Sequence, residues 1–300
     1  MNKIAVIFGG GGQDGFFLKK LLMSLNYQVI VFTHTDGKAG PPLDVCDFND
    51  VKIALKKYRP EIIFHLAAKS STKHRFILEN HKAIVDGALA ILEVVDRYIP
   101  NSKVFIASSA LIFKNEGMPI SENNELITTT AYALARVEAL HIARYYRSRG
   151  RKVYVGFLFN HESPMRPTSS VVREVAKGVV DIHLGLQKTL SIGNANVVKE
   201  WMWAGDAAEA IFTLVGQDDI FEACIGDGIG KSIHDYAIAC CKVLKISPKE
   251  RLVENLDYKA EYSTLISNPK KINSLGWHPK FNMTDLAEEM IKSEISCRKV

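Results

Sequence analysis

Residues 4–8, Ile-Ala-Val-Ile-Phe, form a wholly apolar run that enters Gly9-Gly10-Gly11-Gly12-Gln13-Asp14-Gly15 directly. An amphipathic stretch follows, in which Phe17, Leu18, Leu21, Leu22 and Leu25 recur at helical spacing. Gly9, Gly12 and Gly15 stand three apart, so the order is strand, glycine loop, helix. That context separates a phosphate cradle from a merely glycine-rich turn. Small residues let the backbone approach a pyrophosphate, and the helix N-terminus offers it unpaired N–H groups. Gly9, Gly12, Gln13, Asp14 and Gly15 are therefore candidate dinucleotide-binding residues.

The same rhythm continues. Strands are expected at 28–32, 61–66, 103–107 and 152–159, with helices at 48–58, 75–98 and 130–149. Alternation at this spacing predicts an α/β fold, a doubly wound parallel sheet of Rossmann type with ligands at the carboxyl ends of its strands. After Phe159 the spacing loosens through a proline-containing loop and a helix at about 168–186. Residues 1–160 read as a dinucleotide-binding domain. Residues 161–300 read as a smaller, partly interleaved α/β substrate region, some of whose segments return to the first domain. The charge of +5 is small for 300 residues and its lysines and arginines are scattered, which argues against a nucleic-acid face. Five cysteines without metal-like spacing suggest reduced thiols, a cytoplasmic setting and no metal. No apolar run suits a membrane span, and an N-terminus that is already a core strand leaves no room for a signal peptide.

Further cofactor contacts are expected along the sheet edge. Asp44 and Val45 lie on a short strand-like piece, where Asp44 is either an adenine acceptor or a turn-capping residue. His65-Leu66-Ala67-Ala68 ends a strand in small residues, bringing Leu66, Ala67 and Ala68 near the cofactor or simply closing the strand. Thr33, His34 and Thr35 end the second strand where an acid would select NAD and an arginine NADP. Asp36 follows one step further. Neither type stands there, and the hydroxyls with His34 lean toward NADP over NAD. Tyr132 and Arg136 share a helix face four residues apart. A tyrosine needs its pKa of about 10 lowered to exchange protons near neutrality, and a fixed cation does that. Ser109 can bond the same substrate oxygen.

The chain resembles the extended short-chain dehydrogenase/reductases and, among them, the GDP-mannose 4,6-dehydratase family. Gly12-Gln13-Asp14-Gly15, His65-Leu66-Ala67-Ala68, Ala107-Ser108-Ser109 and Tyr132-Ala133-x-Ala135 fall in the family's order. Phe159-Asn160-His161-Glu162-Ser163-Pro164 is the most specific match, and Leu275-Gly276-Trp277-His278-Pro279 follows near the end. The resemblance implies that His161 and Arg166 contact the cofactor. It also implies that Ser109, Tyr132, Asn160, Lys199 and Trp201 meet a nucleotide-diphosphate sugar, with GDP as its nucleotide, and that long helices pair into a homodimer. Two departures stand out. The family's lysine is Arg136, whose planar fork does not substitute freely for an ammonium. The glutamate credited with eliminating water is Leu111. The family's Arg-Asp-Trp is softened to Lys199-Glu200-Trp201. Glu116 and Glu122 on the next loop read as solvated charges. The expected chemistry is hydride transfer at sugar C4, by a 4-keto reductase, 4-dehydrogenase or epimerase. The alternatives are a GDP-mannose 4,6-dehydratase-type lyase and a weakened protein that only binds cofactor or sugar nucleotide.

Overall fold

The computed structural model describes residues 3–34, 40–255 and 262–298. Thr35 and Asp36 lie outside the described residues. The first half forms β1 (Ile4–Phe8), α1 (Gln13–Ser24), β2 (Gln28–Phe32), α2 (Phe48–Tyr58), β3 (Ile62–His65), α3 (Ile77–Asn80), α4 (Gly87–Tyr98), β4 (Lys103–Ser109), α5 (Ala131–Ser148) and β5 (Val153–Leu158). A later strand, β6 (Glu222–Ile225), joins the same sheet. Its order is β6-β5-β4-β3-β1-β2 and every pairing is parallel. β1 has β2 on one side and β3 on the other, so the strand order reverses beside it, where open sheets leave a crevice.

Both faces of the sheet are covered, which explains why its strands are continuously apolar. Alternate side chains go to opposite cores. Val6 and Phe8 join α2, α4 and α5 through Leu55, Ile91, Val95, Leu140 and Ala143. Ala5 and Ile7 join Leu18 and Leu22 of α1 with Ile211 and Leu214 of α7 (Ala204–Val215). A third core gathers α6 (Val171–His183), α8 (Ile233–Val243) and α9 (Met283–Ser296) around Val175, Tyr236, Cys240 and Met290.

Side-chain caps set the starts of four α-helices. Asp47 accepts from the Asn49 and Asp50 amides at the start of α2, and Thr130 from the Ala133 amide at the start of α5. Capping boxes open α8 (Ser232, Asp235) and α9 (Asn282, Asp285). The helix expected at 168–186 is shorter, because 167–170 turn back on themselves through Ser170 N to Pro167 O. The helical run expected at 75–98 carries a π-helical stretch, His81–Asp86, between α3 and α4. The strand-like piece around Asp44 is a turn, since Asp44 Oδ1 accepts from the Cys46 amide at 3.0 Å. Glu122 is not a solvated charge: its carboxylate accepts from the Cys224 amide (2.7 Å) and faces Lys271 (3.5 Å). Among the described residues no helix is long and apolar enough to cross a membrane.

Candidate active site

A cavity of about 1180 Å³ runs along the carboxyl ends of β1 to β5. Its floor is the loop between β1 and α1. Gly9 adopts φ +78°, and a Cβ there would lie 2.5 Å from the Ala67 backbone. The glycine is what lets the loop touch the end of β3. Gly15 is required for a different contact, since its Cβ would meet the Gly10 backbone at 2.4 Å. A Cβ on Gly12 would meet nothing within 4 Å. Gly12 is also the N-cap of α1, and no side chain caps that helix. The start of α1 thus combines free helix-end amides with open space, a geometry that fits a diphosphate.

Gln13 and Asp14 line this floor, and their side chains reach the loop after β5. Gln13 Nε2 donates to the His161 carbonyl (2.9 Å), and Ser163 Oγ donates to Gln13 Oε1 (2.7 Å). His161 places Nε2 2.8 Å from Asp14 Oδ1 and Nδ1 2.7 Å from the Phe159 carbonyl. Both partners are acceptors, so both ring nitrogens donate and the imidazole is a cation. Burial disfavours that charge, but Asp14 and the Phe159 carbonyl outweigh it and raise the His161 pKa. Asp14 is held below the usual carboxylate range: desolvation opposes its charge, and His161, Arg166 and Gln13 overcome that cost.

The opposite wall is built by β4, the turn after it and the first turn of α5. Ser108, Ser109, Ala110, Leu111, Tyr132 and Arg136 all line it. Arg136 is buried. Its Nη1 donates to the Ala107 carbonyl, and its guanidinium carbon stands 5.0 Å from the centre of the Tyr132 ring. The longer side chain has swung onto the end of β4 and the face of the tyrosine, where cation–π attraction holds it. Ser109 Oγ accepts from the Leu111 amide at 3.2 Å. Ser108 Oγ, Asn160 Oδ1 and Arg136 Nε are buried with no hydrogen-bond partner. Behind this wall His65 is fully buried, with Nε2 3.3 Å from the Ile84 carbonyl. Burial and the nearby Arg136 charge push its pKa down to about 4.

The cavity walls bring together Gly9, Gly12, Gln13, Asp14, Gly15, His34, Asp44, Val45, Leu66, Ala67, Ala68, Ser109, Tyr132, Arg136, Asn160, His161 and Arg166. Lys199 and Trp201 depart from expectation and are not among its lining residues. Lys199 is buried in an ion pair with Glu162 (3.0 Å). Trp201 is stacked on Tyr236 at 4.4 Å, with its indole N–H on the Lys231 carbonyl. Both were expected at the sugar because of a motif likeness, and here Lys199 pairs with Glu162 and Trp201 packs in the third core. Sequence reasoning gave no role to Lys69, Lys82 and Tyr262, which also line the cavity. Lys82 arrives there on the π-helical stretch, which periodicity does not announce.

A family model described as GDP-mannose 4,6 dehydratase matches residues 42–290, well over half of the chain. The chain belongs to that family. GDP-mannose 4,6 dehydratase 2 of Caenorhabditis elegans is 29% identical, over 98% of this chain and 90% of the relative. Two solved structures share the fold at lower identity. RMD from Pseudomonas aeruginosa, complexed with NADPH, is 17% identical with a TM-score of 0.85, over 98% of this chain and 99% of the other. UDP-glucose 4-epimerase of Thermotoga maritima, with UDP-glucose, is 19% identical with the same TM-score and the same coverage.

Proposed function

We propose that the protein binds NADP or NAD along the glycine-loop end of the cavity and transfers hydride at C4 of a nucleotide-diphosphate sugar, GDP-linked, without removing water. The nicotinamide, when bound, donates or accepts the hydride. Tyr132 Oη exchanges the proton of the C4 oxygen, and Ser109 Oγ holds that oxygen by a hydrogen bond. Arg136 supplies a permanent positive charge at the tyrosine face. Gly12 and the uncapped start of α1 receive the diphosphate, with Asp44, Val45, Leu66, Ala67 and Ala68 beside the nucleoside. His34 favours NADP over NAD, while proteins of the same fold are complexed with either cofactor.

The observation that carries the reading is the wall around Ser109 and Tyr132, where the family's glutamate position holds Leu111. The carboxylates lining the cavity among the described residues are Asp14, Asp44, Glu79 and Glu162. Asp14 is bonded to His161, Asp44 to the Cys46 amide and Glu162 to Lys199, while Glu79 stands exposed on α3. A dehydratase needs a proton carrier for C5 and C6, and this wall offers an aliphatic side chain instead. The dehydratase reading is supported by the family model and by the whole-length likeness to proteins of that name. The test is incubation with GDP-, UDP-, CDP- and dTDP-sugars and either nicotinamide cofactor, following nicotinamide absorbance and chromatography of the sugar nucleotide. Conversion of a GDP-sugar without loss of water supports the proposal, and a product lighter by one water overturns it in favour of the dehydratase. Bound cofactor with every sugar unchanged overturns it in favour of a binding protein.

We also propose a cytoplasmic homodimer whose subunits meet through α4 and α5. Leu89, Leu134 and Tyr145 are exposed there at 46%, 42% and 58%, and similar enzymes pair through these helices. Residues 161–300 then serve mainly the sugar, with β6 returning to the cofactor half.

A further inference from the structure

Two loops that begin almost 150 residues apart in sequence are fastened side chain to side chain at the cavity floor. Gln13 and Asp14 open α1, and His161 and Ser163 follow β5. The four contacts between and within them run from 2.7 to 2.9 Å and use both ring nitrogens of His161 and both ends of the Gln13 amide. His161 is only 11% exposed. On the same loop stand Asn160 and Arg166, which line the cavity, while Ser163 is fully buried outside its lining.

We propose that Asp14, His161, Gln13 and Ser163 form a charged latch that fixes the loop after β5 to the start of α1, and that they act as positioning residues for the dinucleotide. The latch sets how far Asn160 and Arg166 stand from the glycines that face the diphosphate. Resting on the proposed cofactor site, it assigns His161 a task other than direct contact with the cofactor. The latch needs the imidazolium. A neutral ring can donate to Asp14 or to the Phe159 carbonyl, but not to both. The charged groups facing it are Asp14 from α1 and, from its own loop, Glu162 and Arg166. With the folded His161 pKa raised by Asp14 and the Asp14 pKa lowered by His161, the latch is lost as pH rises through the raised histidine value and again in acid where Asp14 takes up a proton.

The first test uses the cofactor-free protein, so it does not depend on turnover. The His161 ring is followed by NMR through a pH titration. It should stay doubly protonated above the ordinary histidine range, and Asp14→Asn should bring its midpoint down. The second test measures NADPH binding by fluorescence. Asp14→Asn and His161→Gln should each weaken it about tenfold, and the double variant should be no weaker than the worse single one. Ser163→Ala should weaken it about threefold, although Ser163 is not at the wall. Three results overturn the latch: an ordinary His161 midpoint unmoved by Asp14→Asn, additive losses in the double variant, or wild-type affinity in Ser163→Ala. If wild-type protein binds no NADPH while the His161 midpoint behaves as described, the cofactor site fails and the latch stands as a structural pair.

Discussion

The two ends of the cavity differ in how their polar groups are satisfied. At the glycine-loop end Gln13, Asp14, His161 and Ser163 bond to one another. At the β4–α5 end Ser108 Oγ, Asn160 Oδ1 and Arg136 Nε are buried without partners. A buried polar group without a partner is costly, so such groups persist where something else uses them. One end has its polar side chains paired within the protein, and the other leaves polar atoms open, as the proposed sugar site would need. The two histidines repeat the contrast: His161 is held as a cation by Asp14, and His65 is held neutral by burial and Arg136.

The largest effect is expected at the receiving end. Tyr132→Phe should lower kcat by about 10³-fold while leaving dinucleotide affinity within about twofold of wild type. Steady-state kinetics and binding titration check the split, and retained turnover would break the assignment. At the scaffold end Gly9→Ala should destabilise the fold by about 3 kcal/mol, because φ +78° and the Ala67 backbone leave no room for a methyl group. Denaturant unfolding measures it. Gly12→Ala, by contrast, should keep the melting temperature and weaken dinucleotide binding about tenfold, since its Cβ would enter open space. Equal thermal losses in both variants would erase the distinction.

His65 sharpens the comparison through pH. Its pKa falls from the ordinary 6.5 to about 4. The unfolded chain therefore binds the extra proton first as the solution is acidified. Stability associated with His65 is present above pH 6.5 and lost as pH falls toward 4, by up to about 3 kcal/mol. His65→Asn should flatten that acid limb, as melting temperature against pH will show. The smallest effect belongs outside both ends. Glu116 pairs with Lys114 at 2.9 Å on an exposed loop, so Glu116→Gln should alter stability by less than about 0.5 kcal/mol and leave activity unchanged.

Much of this was legible in the residues. Parallel strands buried on both faces are continuously apolar, and Gly9, Gly12 and Gly15 mark close approach, so the sheet and the cavity floor follow from local pattern. Ser109, Tyr132 and Arg136 followed from their places at strand and helix ends. What local pattern does not carry is tertiary pairing. Lys199 reads as a substrate-facing cation until Glu162 is found against it. Glu122 reads as a loop charge until β6 brings the Cys224 amide to its carboxylate. Ser163 meets Gln13 only after five strands have assembled, and Lys82 reaches the cavity on a π-helical stretch with no sequence signature of its own.

The measurement that bears most directly on the whole account is the mass of the sugar nucleotide recovered after turnover of a GDP-hexose or its 4-keto derivative with NADPH or NADP. The wall formed by Ser109, Leu111, Tyr132 and Arg136 predicts a product that keeps every oxygen, differing from the substrate by two hydrogens or by configuration alone. A product lighter by one water would contradict it and require a proton carrier other than Leu111 at the cavity.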